Sequence, residues 1–333
     1  MRNALKNMLR AAAAAVAIAS CATPALASEA AECVVPAKQG GGFDMTCHLA
    51  REMLRAARVD RGADMRISYM PGGIGAVAFD RAVTQQLSDP NTVVAFSSGS
   101  LLNLVQGKFG PHKPSDVRWL AAIGTDYGVI AVRNSSGLTS LKDLLSALQK
   151  DTGRVVFGAG GTVGSQDWVK AALVVRGAGR DHKSMRFVSF EGGGEALSAL
   201  RGGHVDVFVG DASEVRQVLL KEPGAVRIIA VLSEKRLADP FASAPTAREQ
   251  GLDLVWPIVR GLYLGPGVSD TDYKAWVTLI DRATSSAGFA QLRERHGMYQ
   301  FTLTGPALDK FVEQSADKYR ALARQLNLRV VPQ

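Results

Sequence analysis

The run Val155-Val156-Phe157-Gly158-Ala159-Gly160-Gly161-Thr162-Val163-Gly164-Ser165 decides the fold class. Its β-branched and aromatic start reads as a short strand, and its glycines as a tight turn. The stretch beyond reads as a helix, because Trp168, Ala171, Ala172 and Val175 recur at helical spacing. A strand that feeds a helix in this way is half of a βαβ unit, so a parallel sheet flanked by helices is expected.

The same unit returns on either side. Upstream, Cys33-Val34-Val35 runs through residues 36–42 into a helix opened by Asp44, with Leu49, Ala50, Met53, Leu54 and Ala57 on one face. Residues 67–69 lead through Pro71-Gly72-Gly73-Ile74-Gly75 into a helix reaching about Gln86, and residues 92–96 end in Ser97-Ser98-Gly99-Ser100. Downstream, residues 187–190 precede Glu191-Gly192-Gly193-Gly194 and a helix ending near Arg201, and residues 205–209 run to Gly210-Asp211. The long apolar stretch 119–132 reads as a strand crossing into a second lobe, and 226–232 as the return. A strand near 259–264 and helices over 270–287 and 305–326 complete the chain. The expectation is an α/β protein of two lobes, each a mostly parallel sheet flanked by helices: residues 28–128 with 233–333 in the first, 129–232 in the second. Length agrees, since some 300 residues exceed what one hydrophobic core usually organises.

The first residues carry Arg2, Lys6 and Arg10 with no acidic residue before Ser28, and lead into the small apolar run of residues 11–19. This is the pattern of an export signal, too short to span a bilayer, which takes roughly 20 apolar residues. Ala25-Leu26-Ala27 has the small-x-small form of a cleavage site, which assigns residues 1–27 to the signal and the mature chain to the periplasm. A rival cut before Cys21 would make a lipoprotein, although Ile18-Ala19-Ser20-Cys21 lacks the usual leucine. Only Cys33 and Cys47 then remain, and in an oxidising compartment they are expected to pair, with a pair of buried thiols as the alternative. Basic residues exceed acidic ones mildly, 39 to 31 over the whole chain, without runs or interleaved aromatics. Nucleic acid is therefore not an expected partner.

Three glycine-rich strand-to-helix junctions, at residues 40–42, 158–164 and 192–194, would aim backbone N–H groups and helix N-termini at whatever sits beyond the strand ends. The ligand that fits is a carboxylate or phosphate. Other chemistries find little support. Val163 stands where a dinucleotide motif needs glycine, and Gly107-Lys108 is followed by Phe109 rather than by a P-loop Ser or Thr. His48, His112, His182, His204 and His296 are dispersed without zinc spacing, and Ser97-Ser98-Gly99 lacks the nucleophile elbow of hydrolases. No metal, cofactor or catalytic residue is expected, and an exported enzyme is the weaker alternative to a binding protein.

Over nearly its whole mature length the chain resembles the periplasmic receptors of tripartite tricarboxylate transporters, also called Bordetella uptake receptors. The resemblance is carried by Pro36-Ala37-Lys38-Gln39-Gly40-Gly41-Gly42-Phe43-Asp44, by Pro71-Gly72-Gly73-Ile74-Gly75, by Phe190-Glu191-Gly192-Gly193-Gly194-Glu195-Ala196-Leu197 with Gly202-Gly203-His204-Val205-Asp206, and by Ala244-Pro245-Thr246-Ala247-Arg248-Glu249-Gln250-Gly251-Leu252. It implies a Venus-flytrap fold of the type II periplasmic binding protein class, closing on one carboxylate held by backbone amides and waters. It also implies a monomer that hands its ligand to two integral membrane subunits. Lys38 and Cys47 match the receptors of tricarboxylates such as citrate, whereas Arg260 stands where many relatives carry a neutral residue. A trianion needs more positive charge than helix ends supply, so Lys38 and Arg260 are expected to complete the balance. The expected binding residues are Lys38, Gly41, Gly42, Phe43, Asp44, Ser97, Ser98, Ser100, Gly161, Thr162, Val163, Ser165, Asp211 and Arg260. Asp44 reads as an N-cap, and Asp211 as a ligand contact or a hinge brace.

Overall fold

The computed structural model describes residues 30–58 and 64–332. In chain order these form β1 (Glu32–Val35), α1 (Gly42–Ala56), β2 (Arg66–Tyr69), α2 (Ala76–Thr84), β3 (Thr92–Ser97), α3 (Ser98–Val105), β4 (Arg118–Arg133), α4 (Leu141–Lys150), β5 (Val156–Gly160) and α5 (Gln166–Gly177). There follow β6 (Arg186–Phe190), α6 (Gly193–Arg201), β7 (Val207–Asp211), α7 (Ala212–Lys221), β8 (Val226–Leu232), β9 (Pro257–Leu264), α8 (Asp270–Thr284), α9 (Phe289–Arg295), β10 (Leu303–Thr304) and α10 (Gly305–Gln325). The expected alternation of strand, glycine turn and helix is present. The expected signal, residues 1–27, lies outside the described residues, and no described helix is long and apolar enough to cross a membrane.

The strands are ordered β2-β1-β3-β9-β4-β7-β5-β6, with β8 and β10 also paired to β4. Pairs β1·β2, β1·β3, β5·β6 and β5·β7 are parallel, as expected for crossover units. The antiparallel pairs all involve β4 or β9. β4 belongs to both halves of the sheet: residues 118–127 pair with β9, and residues 128–133 with β7 and β8. The partners change at Gly128, where a Cβ would lie 2.8 Å from Leu232 and 2.9 Å from the Lys170 side chain. Apolar cores form on both sides of this handover, one under α1 and α8 around Trp276, the other under α4 and α5 around Phe157 and Val169.

Three local expectations are corrected. The strand expected at 205–209 sits two residues later, because the Asp206 carboxylate is spent on the Val156 N–H of the neighbouring strand (2.9 Å). The helix expected over 270–287 stops at Thr284, where Ser285, Ser286 and Gly288 form a turn before the separate α9. Helix α1 begins two residues before Asp44, with Gly41 at its cap position. Cys33 and Cys47 are joined in a disulfide between β1 and α1, both fully buried. Closing a loop of this size stabilises by about 3 kcal/mol on the chain-entropy account.

Candidate functional site

Five strands, β1, β3, β5, β6 and β7, end beside one cavity of about 70 Å³, and from it start the five helices α1, α3, α5, α6 and α7. Gly41 and Gly42, Ser97 and Gly99, Ser165 and Gln166, Gly193 and Gly194, and Asp211 and Glu214 come from those junctions, and Arg260 enters from β9. The helix starts place their first-turn N–H groups, some of them capped by side chains, and about half a positive charge each toward the space. This is the carboxyl edge of an open sheet, where such folds take ligands.

Beneath the cavity lies a cluster of charges. Arg260, 2% exposed, donates from Nη2 to Asp211 (2.5 Å) and to Asp126 (3.3 Å). Lys170, fully buried, pairs with Asp167 (2.8 Å) and Asp211 (2.9 Å) and donates to the Gly210 carbonyl (2.8 Å). Asp126 is held by the Ser213 hydroxyl (2.5 Å) and the Tyr127 N–H (2.8 Å). Glu214 accepts from the Gly42 N–H (3.3 Å) and the Asp211 N–H (3.4 Å). Four buried carboxyl groups thus share two buried cations. Burial opposes ionisation at Asp211, but Lys170 and Arg260 outweigh it and hold that carboxyl below its usual range. Burial pushes Asp167 up to about 6 against the pull of Lys170. Burial, with Asp211 and Asp167 close by, pushes Glu214 well above the ordinary glutamate value.

Of the residues expected from the sequence, Lys38, Gly41, Gly42, Phe43, Ser97, Ser165, Asp211 and Arg260 meet at the cavity. Gly161 and Thr162 border an adjoining hollow that shares Ser165, with Asn103 and Lys108. Val163 presents only its carbonyl, which accepts from Lys108 Nζ (2.5 Å), and its side chain is exposed. Ser98 and Ser100 are buried in the first turn of α3, Ser100 accepting from the Ser97 N–H (3.3 Å). Asp44 is no N-cap: it sits in the first turn of α1 and accepts from the Gly40 N–H (2.8 Å) and the Tyr69 hydroxyl (2.9 Å), facing a neighbouring hollow.

The cations and amides expected to meet a ligand also have partners within the protein. Arg260 Nη2 donates to Asp211 and Asp126 while its buried Nε has no partner, and Lys38 donates to Glu195 (2.7 Å) at the exposed rim. Glycine amides expected to meet a ligand are partly taken by the protein's own carboxylates: Gly40 by Asp44, Gly42 by Glu214, Gly160 by Asp167. The glycines also make room. A Cβ on Gly42 would lie 2.0 Å from the Arg260 guanidinium, and one on Gly193 2.0 Å from the Glu214 carboxylate.

The sequence reading missed Asp126, Asp167, Lys170 and Glu214. Local signals pointed to three of them, the Asp211-x-x-Glu214 spacing of a capping box and the Asp167-x-x-Lys170 spacing of a helical ion pair, and none pointed to Asp126.

The family model of the tripartite tricarboxylate transporter family receptor matches residues 68–328. A curated relative, the UPF0065 protein in the tcbD-tcbE intergenic region of Pseudomonas sp. (strain P51), is 27% identical over 207 residues. That match takes in 61% of this chain, and the chain spans 58% of the relative's length. Among solved structures, an R. palustris protein with adipate is similar at a TM-score of 0.79 and 20% identity, over 91% of this chain and 98% of that one. MatC from Rhodopseudomonas palustris with bound malate is similar at 0.73 and 20%, over 88% and 98%. A structure described as a periplasmic transporter is similar at 0.78 and 18%, over 90% and 98%. These likenesses show the fold, that of the two-lobed periplasmic binding proteins.

Proposed function

The chain belongs to the tripartite tricarboxylate transporter receptor family, and from this premise we propose that it captures a small carboxylate in the periplasm and passes it to two membrane subunits without chemical change. The observation that carries the reading is the convergence of five helix N-termini on one cleft, whose positive ends suit a carboxylate. The fold neighbours bound to malate and adipate support the same ligand class. The charges at the cavity favour a mono- or dicarboxylate over citrate, because Arg260 is shared with Asp126 and Asp211, which leaves the exposed Lys38 as the cation more readily given to a ligand. On this reading residues 28–128 with 233–333 form one lobe and 129–232 the other, and the solute bridges them through α1 and α3 on one side and α5, α6 and α7 on the other. Exported as a monomer after removal of residues 1–27, the receptor would close around the solute.

Calorimetry of the purified chain against mono-, di- and tricarboxylates tests this. Binding of a mono- or dicarboxylate, recovered unaltered and with a smaller radius of gyration in solution scattering, is expected. Turnover of the ligand overturns the receptor reading, and a preference for citrate overturns the charge argument.

A further inference from the structure

A separate hollow of about 660 Å³ shares no lining residue with the cavity at the helix starts. Arg216 of α7 and Arg293 and Arg295 of α9 line it, with Asp239 and Glu294 as its acidic members. The arginine stems are packed rather than loose. That of Arg293 crosses β4 at Gly124, where a Cβ would touch it at 3.5 Å, and that of Arg216 crosses Gly297, where a Cβ would come within 2.9 Å. Three guanidinium groups are thereby brought to one space from two helices that are distant in sequence.

Part of this charge has a local use. Arg216 Nη1 donates to the Arg295 carbonyl (2.7 Å), and a cation at the end of a helix is favourable there. The Arg295 side chain is exposed, and water can serve it. Neither holds for Arg293. It is 8% exposed, its guanidinium lies over the Phe289 ring of the preceding turn at 5.4 Å from the centroid, and its Nε is a buried donor without a partner. Among the described residues no carboxylate pairs with Arg293, Arg216 or Arg295, although Asp239 and Glu294 line the same hollow. A buried guanidinium short of acceptors costs free energy until an acceptor arrives.

The geometry also selects the acceptor. Rigid donor forks match oxyanions, and forks that approach from two helices call for oxygens pointing in several directions. A tetrahedral oxyanion has them, whereas a planar carboxylate meets one fork well and the others poorly. We propose that this hollow is a second anion site, which takes a tetrahedral oxyanion such as phosphate or sulfate on Arg293, Arg216 and Arg295, independently of the solute in the cleft. Held by α7 and α9 together, the ion stabilises the folded chain by mass action.

Calorimetry and thermal unfolding of the whole chain in slightly alkaline Tris chloride, with sulfate, phosphate and formate added separately, test the site. Crystals grown without oxyanions and soaked in selenate locate it. Sulfate or phosphate is expected to bind more tightly than about 5 mM and to raise the unfolding midpoint, with formate at least tenfold weaker. The anomalous signal of selenate is expected beside Arg293. Arg293→Met is expected to weaken the favoured anion at least tenfold and Arg293→Lys to recover part of the loss, while Arg295→Gln, a change at an exposed side chain, weakens it without disturbing the fold. Selenate found only in the cleft, or absent from the hollow, overturns the proposal on wild-type protein alone, whatever the variants do. Weaker binding of both sulfate and phosphate, formate bound as tightly as either, or an affinity that neither Arg293→Met nor Arg295→Gln reduces overturns it as well.

Discussion

Arg260 and Lys38 stand on the same cleft, and the sequence presented them alike, as two cations for one anion. The structure separates them. Arg260 rises from a central strand, buried, and ties Asp126 of β4 to Asp211 of β7, across the point where β4 passes from one half of the sheet to the other. Lys38 hangs on an exposed loop and meets Glu195 of α6 from the other side of the opening. A buried pair contributes little net attraction yet costs much when one partner is lost, whereas an exposed pair is weak and easily traded. One cation is therefore part of the frame, and the other is available to whatever enters.

The comparison breaks first at Arg260. Replacing it by Met leaves Asp126 without a cation and Asp211 with Lys170 alone, and a loss of about 3–5 kcal/mol is expected in denaturant unfolding. A loss below about 1 kcal/mol would show that Arg260 is not structural. Gly42→Ala sharpens the same point: its methyl group has to displace the guanidinium, for which overpacking of a close-packed site sets about 1–3 kcal/mol. In an Arg260→Met background that cost should largely vanish, since residues in contact couple energetically.

pH comes next. A carboxyl group with a raised value keeps a proton in the folded protein that it would release on unfolding, so its contribution is fully present below the unfolded value and is lost as pH rises through the folded one. For Asp167 that window runs from 3.8 to about 6. Glu214 acts with the same sign from 4.5 upward, and Asp211, whose value is lowered, acts with the opposite sign below 3.8. Unfolding measured across pH 4–7 should show stability eroding along this limb, and Glu214→Gln should flatten it. The smallest effect belongs to Lys38→Ala, which should leave the unfolding midpoint unchanged while altering the affinity for the solute. A marked fall in thermal stability there would erase the distinction between frame and rim.

The fold was legible because its signals are local. A strand of three to six residues, a glycine turn and an amphipathic helix can each be read within a short window, and their alternation is enough to imply a parallel sheet. The convergence of the junctions was legible as well, since every such helix starts at a strand's carboxyl end. What escaped is the pairing of charges across long separations: Arg260 with Asp126, 134 residues apart, and Lys170 with Asp211, 41 apart. Nothing within a short window says that a lysine inside a helix is fully buried, or that a glycine is there to clear space for an arginine brought in from another strand. The glycines lie at strand-to-helix junctions as the sequence placed them, but the room they make serves side chains that only the folded chain brings to them.

The bond between Cys33 and Cys47 closes a ring around residues 36–41, the loop that carries Lys38 and leads into the start of α1. Seen from the ligand, this ring is a matter of timing. The loop's freedom is surrendered when the thiols are oxidised, before any solute arrives, so little ordering is left to oppose capture. Reduced protein would have to order the same residues at the moment of binding and would hold its solute more briefly, even where its sheet and helices remain intact.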